Sequence, residues 1–148
     1  MKPAWDKLGE TFKYSASVLI ADVDCTSDGA KAVCADNGVS GYPTIKYFTT
    51  ETGKNGEIYD GGRNFMDLED FTKQKLVRNC NPKTKEDCTD NEKAYVDKMV
   101  SFGADKVATE VARLKGMEGG DMKTDKKVWL LQRIAILDRL VSDGKGEL

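Results

Sequence analysis

Val39-Ser40-Gly41-Tyr42-Pro43-Thr44-Ile45-Lys46-Tyr47-Phe48 is the stretch on which the fold turns. It passes from a small, flexible loop through a proline into a β-branched and aromatic run. Pro43 fixes its own φ and removes a backbone donor, so it marks a stop. Thr44 to Phe48 has the composition of a strand. Just upstream, Ser27 or Asp28 can cap a short helix that runs to about Asp36, and Asn37-Gly38 ends it. Just downstream, Glu51-Thr52-Gly53-Lys54-Asn55-Gly56 is a turn. Glu57 to Asp60 then pairs back as the second strand of a hairpin.

The pattern continues outward in both directions. Ala4, Trp5, Leu8 and Phe12 fall at helical spacing and predict an amphipathic helix from Lys2 to Phe12. Nothing before Pro3 can act as an N-cap, so this helix reads as cut rather than begun. Val18 to Val23 is continuous and apolar up to Asp22, as a buried strand would be. After Gly61-Gly62-Arg63-Asn64, a helix from about Met66 to Leu76 turns Phe65, Leu68, Phe71 and Leu76 inward. The order over residues 1–78 is α-β-α-β-β-α. Residues 79–91 read as a linker holding a local Cys pair. Residues 92–148 read as helical: Glu92 to Phe102 with Tyr95, Val96, Met99 and Val100 inward, Ala104 to Met117 with Val107, Val111 and Leu114, and Thr124 to Val141. The last carries the stripe Val128, Leu131, Ile134, Leu137 and Val141, and Trp129 is read as core. The fold class expected is α/β followed by a small all-α domain.

Composition excludes several functions. The 148 residues carry 23 Lys+Arg against 25 Asp+Glu, so no bulk basic charge draws the chain to nucleic acid. Neither half is an electrostatic specialist: ten cations face twelve anions over residues 1–79, and thirteen face thirteen over 80–148. The longest apolar run is strand-sized, so no membrane span is expected. No signal peptide is visible at the start. With no histidine, the His-dependent triads and general acid–base pairs are excluded. The four cysteines, Cys25, Cys34, Cys80 and Cys88, allow three pairings. Two local disulfides are the simplest reading, with free thiols and a zinc site as rivals. The absence of close Cys-x₂₋₄-Cys knuckles counts against zinc, and disulfides would place the chain in an oxidising compartment. No metal or other cofactor is expected.

Four motifs, in this order and spacing, resemble the a-type, thioredoxin-like domain of protein disulfide isomerases. They are Trp5-x-x-Leu8-Gly9-x-x-Phe12, Ala21-Asp22-Val23-Asp24-Cys25, Gly38-Val39-Ser40-Gly41-Tyr42-Pro43-Thr44 and Tyr59-Asp60-Gly61-Gly62-Arg63. The resemblance covers residues 1 to about 78. It implies that Pro43 is cis, an isomer that costs an X–Pro bond only about 0.5–1 kcal/mol. It implies that Tyr42 and Pro43 line a substrate groove, and that Arg63 matches an arginine tuning a buried active-site cysteine. It also implies an extra disulfide, Cys25–Cys34. Residues 80–141 resemble part of the helical D domain of some of these isomerases. The match rests on Ala104 to Leu114 and on Trp129 to Leu140, with Arg133 and Ile136-Leu137 as markers. A Cys80–Cys88 bridge would close a short loop and staple this helical stretch.

The sequence departs from the family at its front. The family's Cys-Gly-His-Cys motif opens the helix that Pro3 kinks, so it would lie upstream of Met1, together with the first strand, first helix and central strand. Cys25 follows a strand with Asp22 and Asp24 nearby, and Cys34 lies at a helix end where the dipole opposes a thiolate. Neither is suited to redox chemistry, so no catalytic residue is assigned. The expected function is that of a protein disulfide isomerase family member, N-terminally truncated and inactive in thiol–disulfide exchange as given. The alternative is a non-catalytic, chaperone-like peptide-binding module. Expected partners are unfolded or disulfide-containing secretory polypeptides, or a second copy joined through the exposed sheet or the helical domain. The tail Lys145-Gly146-Glu147-Leu148 differs at one residue from a Lys-Asp-Glu-Leu retention signal, which points to the lumen of the endoplasmic reticulum.

Overall fold

The structure is a computed structural model that describes residues 1–145. Contacts divide the chain into two compact units. One comprises Met1–Lys13 and Val18–Leu76; the other comprises Tyr14–Ser17 and the chain from Val77 onward.

In the first unit, helix α1 spans Lys2–Phe12 with Pro3 in its first turn, where a missing N–H costs nothing. Its buried residues are Leu8 and Phe12. A 3₁₀ turn at Asp28–Ala30 leads into the short helix α2, Lys31–Asp36, which buries Cys34. Gly38 ends it at φ +69°, a conformation open to glycine. The hairpin follows, with β1 at Lys46–Tyr47 and β2 at Glu57–Ile58. The two pair antiparallel, Lys46 opposite Ile58 and Tyr47 opposite Glu57. The Tyr59 N–H extends the pairing by donating to the Ile45 carbonyl at 2.9 Å. Gly56 closes the turn at φ +62°, and a Cβ there would strike the Phe48 ring at 2.6 Å and the Tyr47 carbonyl at 2.8 Å. Only glycine fits that corner.

Helix α3, Phe65–Lys75, is capped by Asn64, whose side chain accepts from the Asp67 N–H. It holds the hairpin through Phe71, which meets Tyr47 and Tyr59 edge-on at 4.9 and 4.8 Å between ring centroids. It also packs on α1, where the Lys7 ammonium sits 4.1 Å over the Phe65 ring.

The α/β class with a helical second unit is as expected, but the sheet is smaller. It has two strands among the described residues. The strand expected at Val18–Val23 does not form. Leu19 to Val23 join no ladder, and Leu19 and Val23 are exposed. An apolar, β-prone run becomes a strand only when a neighbour satisfies its backbone groups. Ile20 still packs toward Gly9 of α1, but no described segment lies in register beside it.

The second unit begins with a loop closed by the Cys80–Cys88 disulfide. Inside the loop Asn81 donates its N–H to the Glu86 carbonyl at 3.0 Å, and its side chain accepts from the Lys83 and Thr84 N–H groups. Helix α4 spans Asp90–Phe102 and opens with a capping box between Thr89 and Glu92. Helix α5 spans Ala104–Met117, and α6 spans Thr124–Lys145. One core gathers Met99, Val107, Leu114, Leu130, Ile134 and Leu137. A second joins Cys80, Val96 and Ile136. Helix α6 therefore buries two faces, and Leu130 and Ile136 belong to its core while Val128 and Leu131 are only half-buried. Val100, expected inward, is exposed. Trp129 is half-buried and not part of either core.

Candidate functional site

The candidate site of the first unit is an open groove of about 660 Å³ between the Ala21–Thr26 segment, the end of α2 and β1. Its walls are apolar: Trp5 from α1, Val23, Val33 from α2, Val39, Ile45 and Phe48. Tyr42 and Pro43 form part of its rim, and the Tyr42–Pro43 bond is cis. Tyr42 is largely exposed, so its ring is presented to whatever enters.

Local chemistry explains how these residues are held. The Thr44 hydroxyl donates to the Gly41 carbonyl at 2.6 Å, closing the turn around the proline. Lys46 donates from Nζ to the Asn37 carbonyl at 2.9 Å, tying β1 to the end of α2. The Cys25–Cys34 disulfide, with Cα atoms 5.9 Å apart, fixes the Asp24–Thr26 turn to α2 and lines the groove itself. Asp24 accepts from the Thr26 hydroxyl at 2.6 Å and the Thr26 N–H at 3.0 Å. Those bonds hold its carboxyl below the usual range. At the other rim Lys2 bonds Asp6 at 2.6 Å and reaches Asp22 at 3.5 Å, and Asp6 above all raises its pKa.

Two backbone edges border the groove unpaired. Among the described residues β1 has a neighbour on one side only. Leu19 to Val23 make no backbone ladder bonds. A site with apolar walls and free backbone donors and acceptors suits an extended polypeptide, which brings both. It holds no free thiol. All four cysteines are joined, Cys25 to Cys34 and Cys80 to Cys88. The Cys80 and Cys88 sulfurs lie within 4.8 Å of a Glu92 carboxylate oxygen. Joined as a disulfide, they offer no thiolate pair to a metal, and Glu92 is already bonded to the Thr89 N–H and to Gln132.

The structure thus brings Tyr42, Pro43, Cys25 and Cys34 to one groove. Arg63 lies exposed in the loop before α3 and does not line it. In the sequence Trp5, Val39 and Phe48 read as helix-face, loop and strand residues and Val33 as an ordinary helical one; only the converging turns make them walls of one groove.

Comparison with known proteins agrees with this geometry. The thioredoxin family model matches residues 1–74. The protein disulfide-isomerase-like protein EhSep2 of Emiliania huxleyi is 40% identical over 115 residues. That match covers 78% of this chain and 51% of the relative. The chain belongs to the thioredoxin-like protein disulfide-isomerase family. Protein disulfide isomerase-like 2-1 of Oryza sativa is also 40% identical, over 79 residues, covering 53% of this chain and 21% of the relative. The thioredoxin domain-containing protein 5 homolog of Drosophila melanogaster is 39% identical over 77 residues, covering 51% of this chain and 18% of the relative. The chain therefore spans about half the length of the Emiliania relative and about a fifth of the other two. No solved structure gives a significant match. Every residue that lines the groove falls within the stretch 1–74 that the thioredoxin family model matches. No helix of the described residues is long and apolar enough to cross a membrane.

Proposed function

We propose that this protein works on disulfide-containing secretory polypeptides, and that its 148 residues supply client binding rather than redox chemistry. Its place in the isomerase family makes thiol–disulfide exchange the relevant reaction. The observation that carries the proposal is the groove. Tyr42 and Pro43 stand at its rim, apolar residues form its walls, and every cysteine near it is already paired. No Cys-x-x-Cys occurs anywhere in the sequence. A redox cysteine needs a stabilised thiolate and a close resolving partner. Neither Cys25 nor Cys34 is placed for that work, and both serve to shape the groove. Arg63 is exposed in its loop and stands outside the groove.

A second reading, a non-catalytic chaperone-like module, is favoured by the same unpaired edges, since backbone pairing is indifferent to client sequence. A second copy of the chain could occupy them as well as a client does, because an open sheet edge accepts any strand. The two disulfides support an oxidising compartment, which for this family reading is the lumen of the endoplasmic reticulum. The tail resembles a retention signal with Gly146 in place of Asp, although Gly146, Glu147 and Leu148 lie outside the described residues.

Two assays on the full chain test the proposal. Insulin reduction with dithiothreitol at neutral pH should proceed at the uncatalysed rate. Titration with a reduced and alkylated secretory polypeptide should show saturable binding that Tyr42→Ala weakens at least threefold. Catalysis above background would return the cysteines to redox work. Undiminished binding by Tyr42→Ala would move the client elsewhere.

A further inference from the structure

The helical unit carries a second feature that the isomerase reading does not use. Helices α4, α5 and α6 surround an open cavity of about 610 Å³. Tyr95, Lys98 and Phe102 reach it from one face of α4, at i, i+3 and i+7. Lys106, Glu110 and Arg113 reach it from α5, at i, i+4 and i+7, and Trp129 and Arg133 from α6, at i and i+4. These spacings stack side chains on one side of a helix, so the three faces converge by construction.

The cluster is cationic and aromatic together. Glu110 is its one carboxylate, and Arg113 engages it with two bonds, Nε to Oε2 at 2.8 Å and Nη2 to Oε1 at 2.7 Å. That leaves Lys98, Lys106 and Arg133, none of them ion-paired among the described residues. The lysines sit 5.9 and 5.4 Å from the Phe102 ring centroid. The Arg133 guanidinium lies 6.0 Å from the Tyr95 centroid and 5.7 Å from that of Trp129. Two polar atoms here are buried without a hydrogen-bond partner, the Tyr95 hydroxyl and the Arg133 Nε. Both are donors, and a buried donor without an acceptor is a costly arrangement that a ligand can relieve. Burial above all raises the Tyr95 pKa, with Glu110 adding to it against Arg133 and Arg113, so the phenol keeps its proton to donate.

We infer that this cavity binds a carboxylate carried next to an aromatic or apolar side chain, as in an acidic segment of a polypeptide. The excess positive charge supplies the attraction, the Arg133 Nε–H and Tyr95 O–H supply the orienting bonds, and Trp129 and Phe102 cover the adjoining apolar group. A compact, strongly hydrated phosphate would gain little from those rings. The site stands on these helices alone and does not depend on the Tyr42–Pro43 groove.

Calorimetric titration of the full chain with the acetylated, amidated tetrapeptide Phe-Glu-Glu-Phe tests it. Saturable binding is expected at low salt, weakening as salt rises. The Phe-Gln-Gln-Phe counterpart should bind at least tenfold more weakly. Arg133→Gln should lower affinity at least tenfold. Because that side chain is half-buried, the exposed double variant Lys98→Gln/Lys106→Gln provides a second reading and should lower affinity at least threefold without unfolding the chain. Equal affinity for the glutamine peptide, wild-type affinity in both variants, no saturable binding, or displacement by equimolar inorganic phosphate would each overturn the inference. Loss of binding in these variants, with client binding still sensitive to Tyr42→Ala, separates this site from the groove.

Discussion

The two units solve the same problem, satisfying a buried backbone, in opposite ways. In the helical unit each segment closes its own hydrogen bonds, and α4, α5 and α6 need one another only for side-chain packing. The result is a core with Leu114 and Leu137 fully buried. In the thioredoxin-like unit the β segments must borrow partners. There β1 and β2 are two residues each, and Leu19–Val23, as apolar as any strand, has no ladder at all. The difference teaches what kind of binding each unit offers: the helical unit satisfies its own backbone and can bind only through side chains, whereas the other presents unpaired backbone beside an apolar groove.

Substitutions can break or sharpen that contrast, and the largest effect is expected in the helical core. Leu137→Ala or Leu114→Ala should destabilise by about 2–5 kcal/mol, because each leaves a cavity in close-packed surroundings. Urea unfolding followed by helical circular dichroism measures it, and a loss below 1 kcal/mol would mean the bundle is loosely packed. Next is Cys80→Ala/Cys88→Ala. Opening so short a loop should cost about 2–3 kcal/mol by chain entropy, seen as a lower unfolding midpoint. The capping box comes third. Thr89→Ala should cost about 1 kcal/mol, by freeing the Glu92 N–H that its hydroxyl holds at 3.2 Å. A cost near zero would show that α4 is fixed by packing alone.

The smallest effect concerns pH. The Arg113 hydrogen bonds hold the Glu110 carboxyl below its usual range. A depressed folded pKa stabilises above the unfolded pKa and is lost as pH falls through the folded value. Wild type should therefore be slightly more stable than Glu110→Gln at neutral pH, and the gap should close below about pH 4, as unfolding midpoints against pH would show. A gap that widened in acid would reverse the sign of this pair.

Much of this was legible in the sequence, and the reasons are local. Helix α1, α3 and the three helices of the second unit follow from 3.6-residue periodicity and from caps such as Asn64 and Thr89. The Tyr42-Pro43-Thr44 stop is visible in the sequence as a turn, and in the structure that turn lies at the groove rim. Val18–Val23 misled because composition records a preference for pairing, while pairing itself depends on another segment. Val100 was placed inward by spacing that does not reveal which side α5 will occupy. The α6 stripe shifted because this helix buries two faces, so a single-face template misses Leu130 and Ile136. The cationic cavity was invisible for a related reason. Tyr95, Lys98, Lys106, Trp129 and Arg133 belong to three helices, and only packing brings their faces together.

Hydrogen exchange of the full chain, with and without an unfolded, alkylated secretory polypeptide, tests the central claim most directly. The account predicts fast exchange at Leu19–Val23 in the free protein, slow exchange in the cores of α4 and α6, and protection of Leu19–Val23 and of β1 when the client binds. Slow exchange at Leu19–Val23 in the free protein, or a bound client that leaves both edges unprotected, would contradict it.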